Sequence, residues 1–259
     1  MKFLTPVILL MLTACSTVKL DQNNGSKPTL VEIAQKVTSA KVIILTDHTL
    51  PGHLNLSSGG AADKERLFID PAADVFAQQL SEHGLKSTIL KVEDMIPEDI
   101  ITTKEQFDQA YANYDQLLKQ AVAQGDTIIS LHFDADIIMG KDYKDNQLYI
   151  GGVQIILDER AVSPETFKLS YYLLHDYPLF DTLNSAGFRT RPGYQDKPRY
   201  QNNLTLNITG HSSGGGILLE LAPQEQAIRL YDTPENTAHA LIPALSVLAK
   251  AVSDFRKYL

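Results

Sequence analysis

The chain has 259 residues, 31 acidic against 23 basic side chains, and one cysteine. A formal charge of −8 disfavours nucleic acid and anionic lipid surfaces as partners. A lone cysteine excludes an internal disulfide framework and a multi-thiolate metal site. In chain order, Phe3 to Met11 is an apolar run behind Met1-Lys2, too short to span a bilayer permanently. Residues 16–28 read as a polar tether, and residues 29–259 suffice for one domain with a sizeable core. Lys41–Thr46 reads as a buried strand. Asp70-Pro71 reads as an N-cap with proline in the first turn of a helix that runs to His83 and stops at Gly84. Lys86–Val92 follows as a strand, and Thr103-Lys-Glu-Gln106 as a capping box. The helix it opens carries Phe107, Ala110, Tyr111, Tyr114, Leu117, Leu118, Ala121 and Val122 at helical spacing and ends at Gly125. Strands are predicted at Thr127–Leu131 and Gly152–Leu157, then a helix from Ser163-Pro164 interrupted near Pro178 and ending before Gly187. Leu204–Thr209 and Ile217–Leu221 read as strands, and Leu241, Leu245, Leu248, Val252 and Phe255 mark a final helix. This alternation predicts a single α/β domain, a mostly parallel twisted sheet with helices on both faces.

Chemistry gathers where such folds keep it. Ligands sit outside the carboxyl ends of parallel strands. His48 and His53 follow the first predicted strand, His132 closes the third, and Glu220 lies in the last among apolar neighbours. A carboxylate in such a run is costly unless a charge or strong donor meets it. Residues 29–259 hold no cysteine, so a metal site in that domain must use His, Asp or Glu.

The string Leu12-Thr13-Ala14-Cys15 resembles the lipobox of bacterial lipoproteins. That resemblance implies a signal peptide over residues 1–14, a lipidated Cys15 that begins a tether reaching residue 28, and attachment to a membrane. Ser16 behind the cysteine implies outer-membrane sorting, with the domain facing the periplasm.

A second resemblance covers nearly the whole predicted domain. Asp47, Pro51-Gly52-His53, Gly60-Ala61, Glu65, Ser130-Leu131-His132-Phe133-Asp134-Ala135 and Ile217-Leu218-Leu219-Glu220-Leu221 follow one another in an order. It is similar to that of the zinc-dependent N-acetylmuramoyl-L-alanine amidases of cell separation and sporulation. The resemblance implies zinc held by His53, Glu65 and His132, with His48 as the alternative first ligand, because His48-Thr49-Leu50 intervene after Asp47. It implies Glu220 as the catalytic acid and base, peptidoglycan as the partner, and hydrolysis of the amide joining N-acetylmuramic acid to L-alanine. Such an enzyme needs a three-ligand site with an open position and a group to protonate the leaving nitrogen. The basic and aromatic stretch 188–200 offers Arg189 and Arg191 for stem-peptide carboxylates, which arginine grips bidentately. His211 is expected beside the substrate; any protein activator is unknown.

Two rival readings remain open. Gly210-His211-Ser212-Ser213-Gly214 matches the Gly-x-Ser-x-Gly nucleophile elbow, which would make the chain a serine hydrolase using Ser212. Only 47 residues follow Ser212, too few for the strands, acid and histidine that should come after it. The other rival is a non-catalytic amidase-like lipoprotein that binds peptidoglycan. His83, His175 and His239 read as surface residues.

Overall fold

The computed structural model describes residues 27–48, 62–135 and 151–259. The signal segment, Cys15, most of the tether and the Pro51-Gly52-His53 string lie outside the described residues. Six strands form one sheet in the order β2-β1-β3-β6-β4-β5. They are β1 (Val42–Thr46), β2 (Ser87–Lys91), β3 (Thr127–Asp134), β4 (Gln154–Asp158), β5 (Arg199–Gln201) and β6 (Gly216–Pro223). The first four in spatial order are parallel; β4 runs antiparallel to β6, and β5 parallel to β4.

Every residue of β1, β3, β4 and β6 is buried, as expected for strands covered on both faces. Alternation decides which face each one serves. Val42, Ile44, Ile129, Leu131, Ile217 and Leu219 pack with α2 (Ala62–Glu82), α4 (Pro164–His175), α5 (Leu179–Ser185), α7 (Gln224–Tyr231) and α8 (Pro234–Arg256). Ile43, Leu45 and Ile128 pack with α1 (Leu30–Ser39) and α3 (Lys104–Gln124). Ile156 and Leu218 meet Leu206 of α6 (Leu204–Thr209) on that second face.

Local signals set several boundaries. Thr103 caps α3 in a reciprocal box with Gln106, and Gly125 ends it in the left-handed conformation, φ 71°. Ser163 caps α4 with proline in its first turn, and Gly84 takes φ 75° after α2.

Three predicted elements are corrected. Pro71 lies inside α2 and does not start it. Its missing N–H deprives the Leu67 carbonyl of a helical partner, and Leu67 lies on the exposed side, where water can serve instead. Leu204–Thr209 is a helix, because the Asn203 side chain accepts from the Leu206 N–H as an N-cap. The stretch 188–200 is not wholly irregular, since Arg199 begins the edge strand β5 beside Ile156. The short helices α1 and α7 are not among the predicted elements, although Thr29 and Glu32 form a reciprocal capping box at the start of α1.

Candidate metal centre and acid–base site

The site is built at the carboxyl ends of β1, β3 and β6, with His132 and Glu220 on the second face of the sheet and Glu65 reaching in from α2 on the first. His132 of β3 is in register with Glu220 of β6, and Glu220 with Gln154 of β4. Same-face neighbours in register lie about 5 Å apart, so these three side chains form a rung across three strands. Asp47 and His48 follow the last residue of β1 and continue towards the same level.

A bulge makes room for the fourth element. The β3–β6 register shifts between His132 and Asp134, which takes Phe133 out of the ladder. Its N–H donates to Glu65 Oε1 at 2.9 Å, and its carbonyl accepts from Gln224 Nε2 at 2.9 Å. The freed backbone groups are thus satisfied, and one of them draws Glu65 of α2 onto the strand.

Three donor groups converge there. His48 Nε2 lies 2.8 Å from His132 Nδ1 and 3.3 Å from Glu65 Oε2. Glu65 Oε1 lies 3.1 Å from His132 Nδ1. The two imidazoles meet edge to face at 82°, with centroids 4.6 Å apart. At zinc bond lengths of about 2.0–2.2 Å, the edge of a tetrahedral ligand set is about 3.3–3.6 Å. The two imidazole nitrogens, 2.8 Å apart, lie closer than that edge, and Glu65 meets them through different oxygens at 3.1 and 3.3 Å; two imidazoles and a carboxylate are zinc's ordinary donors. On these grounds the residues fit the metal.

On the far side of the His132 ring, Nε2 lies 2.9 Å from Ser130 Oγ and 3.2 Å from Asp47 Oδ1. Asp47, His48 and His132 also form a group of potential ligand atoms within 4.8 Å of one another. A ring nitrogen binds in the plane of the ring, so a metal must choose one edge of His132. The Nδ1 edge collects His48 and Glu65; the Nε2 edge is occupied by Asp47 and Ser130.

The charges are mutually dependent. Burial works against the His132 cation, but its hydrogen bonds to Asp47 and Glu65 outweigh it and raise the imidazole well above its usual value. Burial pushes the Asp47 and Glu65 carboxyls up, and the same histidine pulls both below the usual carboxylate range. Burial and the His132 charge together lower His48. The two carboxylates thus favour a positive charge on the imidazole between them.

Glu220 behaves differently. Burial raises its carboxyl well above the usual range, His132 and Arg199 oppose the shift, and Glu65 and Asp134 add to it. Its Oε2 is buried without a hydrogen-bond partner among the described residues, as is Oε1 of the adjacent Gln154. The other atom of that amide, Nε2, donates to Asp134 Oδ2 at 2.9 Å.

The remaining predicted residues fall into two groups. Arg191 reaches the rung by donating to Asp134 Oδ2 at 3.2 Å, and Gly152 N–H donates to the same oxygen at 3.0 Å. Arg189 donates through Nε to the Gly151 carbonyl at 3.0 Å. His211, expected beside the substrate, is exposed ahead of β6, at the opposite end of that strand from Glu220. Gly216 alone is four residues short of Glu220, about 13 Å of strand. Ser212 shares that end and is fully buried; its Oγ donates to the Asp126 carbonyl at 2.6 Å and accepts from the Gly214 N–H at 3.1 Å. That corrects both the substrate-contact reading of His211 and the elbow reading of Ser212. His53 lies outside the described residues, and His48 is the histidine that the structure brings to Glu65 and His132. Sequence reasoning gave no role to Asp47, Ser130, Gln154 or Thr205. Ser130 carried a signal, since it shares the parity of His132 on its strand.

No family model and no curated protein matches the sequence. Among solved structures, the N-acetylmuramyl-L-alanine amidase Ami1 of Mycobacterium smegmatis is similar at 13% identity, with a TM-score of 0.48 over 82% of this chain and 98% of that one. The apo form of Ami1 from Mycobacterium abscessus is similar at 14% identity, with a TM-score of 0.46 over 80% of this chain and 98% of that one. The N-acetylmuramoyl-L-alanine amidase AmiC2 of Nostoc punctiforme is similar at 14% identity, with a TM-score of 0.40 over 80% and 96%.

Proposed function

We propose that this chain is a zinc-dependent hydrolase of peptidoglycan that cuts the amide between N-acetylmuramic acid and the L-alanine of the stem peptide. One observation carries the reading: His48 Nε2, the Glu65 carboxylate and His132 Nδ1 converge within 3.3 Å, with a Glu220 oxygen that has no hydrogen-bond partner among the described residues one strand away. The bond and the substrate come from the ordered motifs in the sequence. His48, Glu65 and His132 would hold the metal. The chemistry supplied by a bound zinc is Lewis-acid polarisation of a carbonyl and acidification of a water.

The protein's own residues supply the proton traffic. An amide nitrogen must be protonated as it leaves, because an amide anion is a very poor leaving group. Burial holds the Glu220 carboxyl well above the usual range, so its proton affinity suits both accepting a proton from water and returning it to nitrogen. Asp134 ties Gly152, Gln154 and Arg191 to the end of β3, which holds the flank of the site beside Glu220. Arg189 and Arg191 are proposed to lie along the path of the stem peptide. Cys15 is proposed to carry a lipid that anchors the domain at the periplasmic face of the outer membrane.

Incubation of purified peptidoglycan with the protein, followed by mass spectrometry, tests the reading. Stem peptides with a free L-alanine amino terminus and glycan strands with intact sugars are expected. Cut sugars, cuts within the peptide, or no turnover by zinc-loaded protein would refute it.

A further inference from the structure

Asp47 precedes a proposed metal ligand and touches another, and its own surroundings fix its side chain. Its Oδ2 accepts from Thr205 Oγ1 of α6 at 3.1 Å, and its carbonyl accepts from the Tyr111 hydroxyl of α3 at 2.7 Å. Its Oδ1 lies 3.2 Å from His132 Nε2, with Ser130 Oγ 2.9 Å from the same nitrogen. Thr205 therefore holds the carboxylate and Tyr111 the backbone beside it, which sets Oδ1, with no other hydrogen-bond partner among the described residues, against one edge of the imidazole. The Asp47 side chain is 13% exposed and that of His132 is 8% exposed, so water competes weakly for this contact. A neutral imidazole keeps its proton on the nitrogen that faces an acceptor, which leaves the lone pair on the other. The other nitrogen is Nδ1, facing His48 and Glu65.

We propose that Asp47 is a positioning residue which, steadied by Thr205, fixes His132 as the Nε2–H tautomer and makes Nδ1 the metal-binding nitrogen. The inference rests on the metal reading above and goes beyond it by naming the nitrogen and the group that selects it. Asp47 as a direct ligand through the Nε2 edge is the competing assignment.

NMR of cadmium-loaded protein with isotope-labelled histidine reads the bonded nitrogen in the wild type directly. Metal coupling to His132 Nδ1 is expected, and coupling to His132 Nε2 overturns the proposal. Competition against a chromophoric chelator then measures zinc affinity. Asp47→Ala is expected to bind zinc about 10–100-fold more weakly, the usual cost of losing such an outer partner. Thr205→Val should shift affinity the same way by less, with melting of the metal-free proteins as the control for fold. Affinity of Asp47→Ala within about twofold of wild type would overturn the proposal. So would complete loss of binding in Asp47→Ala with binding kept in Glu65→Gln, because Asp47 would then be a ligand. A wild type that takes up no metal refutes the metal reading itself, an outcome distinct from either of these.

Discussion

The fate of single buried carboxylates separates chemistry from architecture in this protein. Asp158 is fully buried and pulled below the usual carboxylate range by its hydrogen bonds to the Arg160 side chain, against the cost of burial, helped by the Arg160 and Asn203 N–H groups. It is an architectural acceptor at the end of β4. Asp158→Ala should cost about 1–3 kcal/mol at neutral pH by stranding those donors. A depressed carboxylate stabilises above its unfolded pKa, and that contribution fades as pH falls towards the lower folded value. The gap between wild type and variant in denaturant melts should therefore be full at pH 7 and begin to narrow only below about pH 4; a gap unchanged in strong acid would contradict this. Glu220 carries the opposite shift and has an oxygen with no hydrogen-bond partner among the described residues, the two observations on which its proposed proton transfer rests. At the metal, His48→Ala is expected to strip zinc, read by metal content of the folded protein, while His53→Ala retains it. The reverse result would restore His53 as the first ligand. Its Pro-Gly neighbours made His53 legible as a candidate, and its place just past the first strand made His48 legible as the alternative.

At the scale of elements, the Gly210–Gly215 string shows how a motif can match without its context. The ideal Cβ of residue 214 would lie 2.4 Å from the Gly125 carbonyl oxygen and 2.4 Å from the Asp126 carbonyl carbon, both backbone atoms that cannot swing aside. The glycine is there because two chain segments touch. Gly214→Ala should destabilise by about 1–3 kcal/mol, the usual cost of overpacking, in chemical denaturation. Ser212→Ala should likewise cost stability yet leave turnover per folded molecule near wild type; loss of turnover in a folded Ser212→Ala would revive the serine-hydrolase reading. The long helices and buried strands were legible because caps, left-handed glycines and apolar periodicity agreed. Leu204–Thr209 was misread because Leu204, Leu206 and Ile208 alternate as a strand would, while the decisive signal was the one residue before them, Asn203. The bulge at Phe133 had no sequence signal, since it depends on the partner strand and on Glu65 and Gln224.

Across the whole molecule, the sheet does the assembling. Residues 48, 65, 132 and 220 are far apart in sequence and meet because β1, β3 and β6 are adjacent and parallel and α2 begins at their carboxyl ends. The class of sheet followed from the strand–helix alternation; the reversal of β4 and β5 did not, because strand direction leaves no mark on apolar periodicity. The two apolar faces are packed independently of the donor triangle, so metal removal should leave the fold standing at lower stability. Free zinc at one hundred times its dissociation constant should add about 2.7 kcal/mol, visible as a concentration-dependent melting temperature that chelation abolishes. The account stands most directly on Glu220→Gln, assayed with wild type on purified peptidoglycan with both proteins loaded with zinc and checked for metal content. The variant is predicted to keep one metal per chain and to release free L-alanine termini at least about a hundredfold more slowly, the lower range for a general acid–base group. A zinc-replete Glu220→Gln that matches the wild-type rate would contradict it.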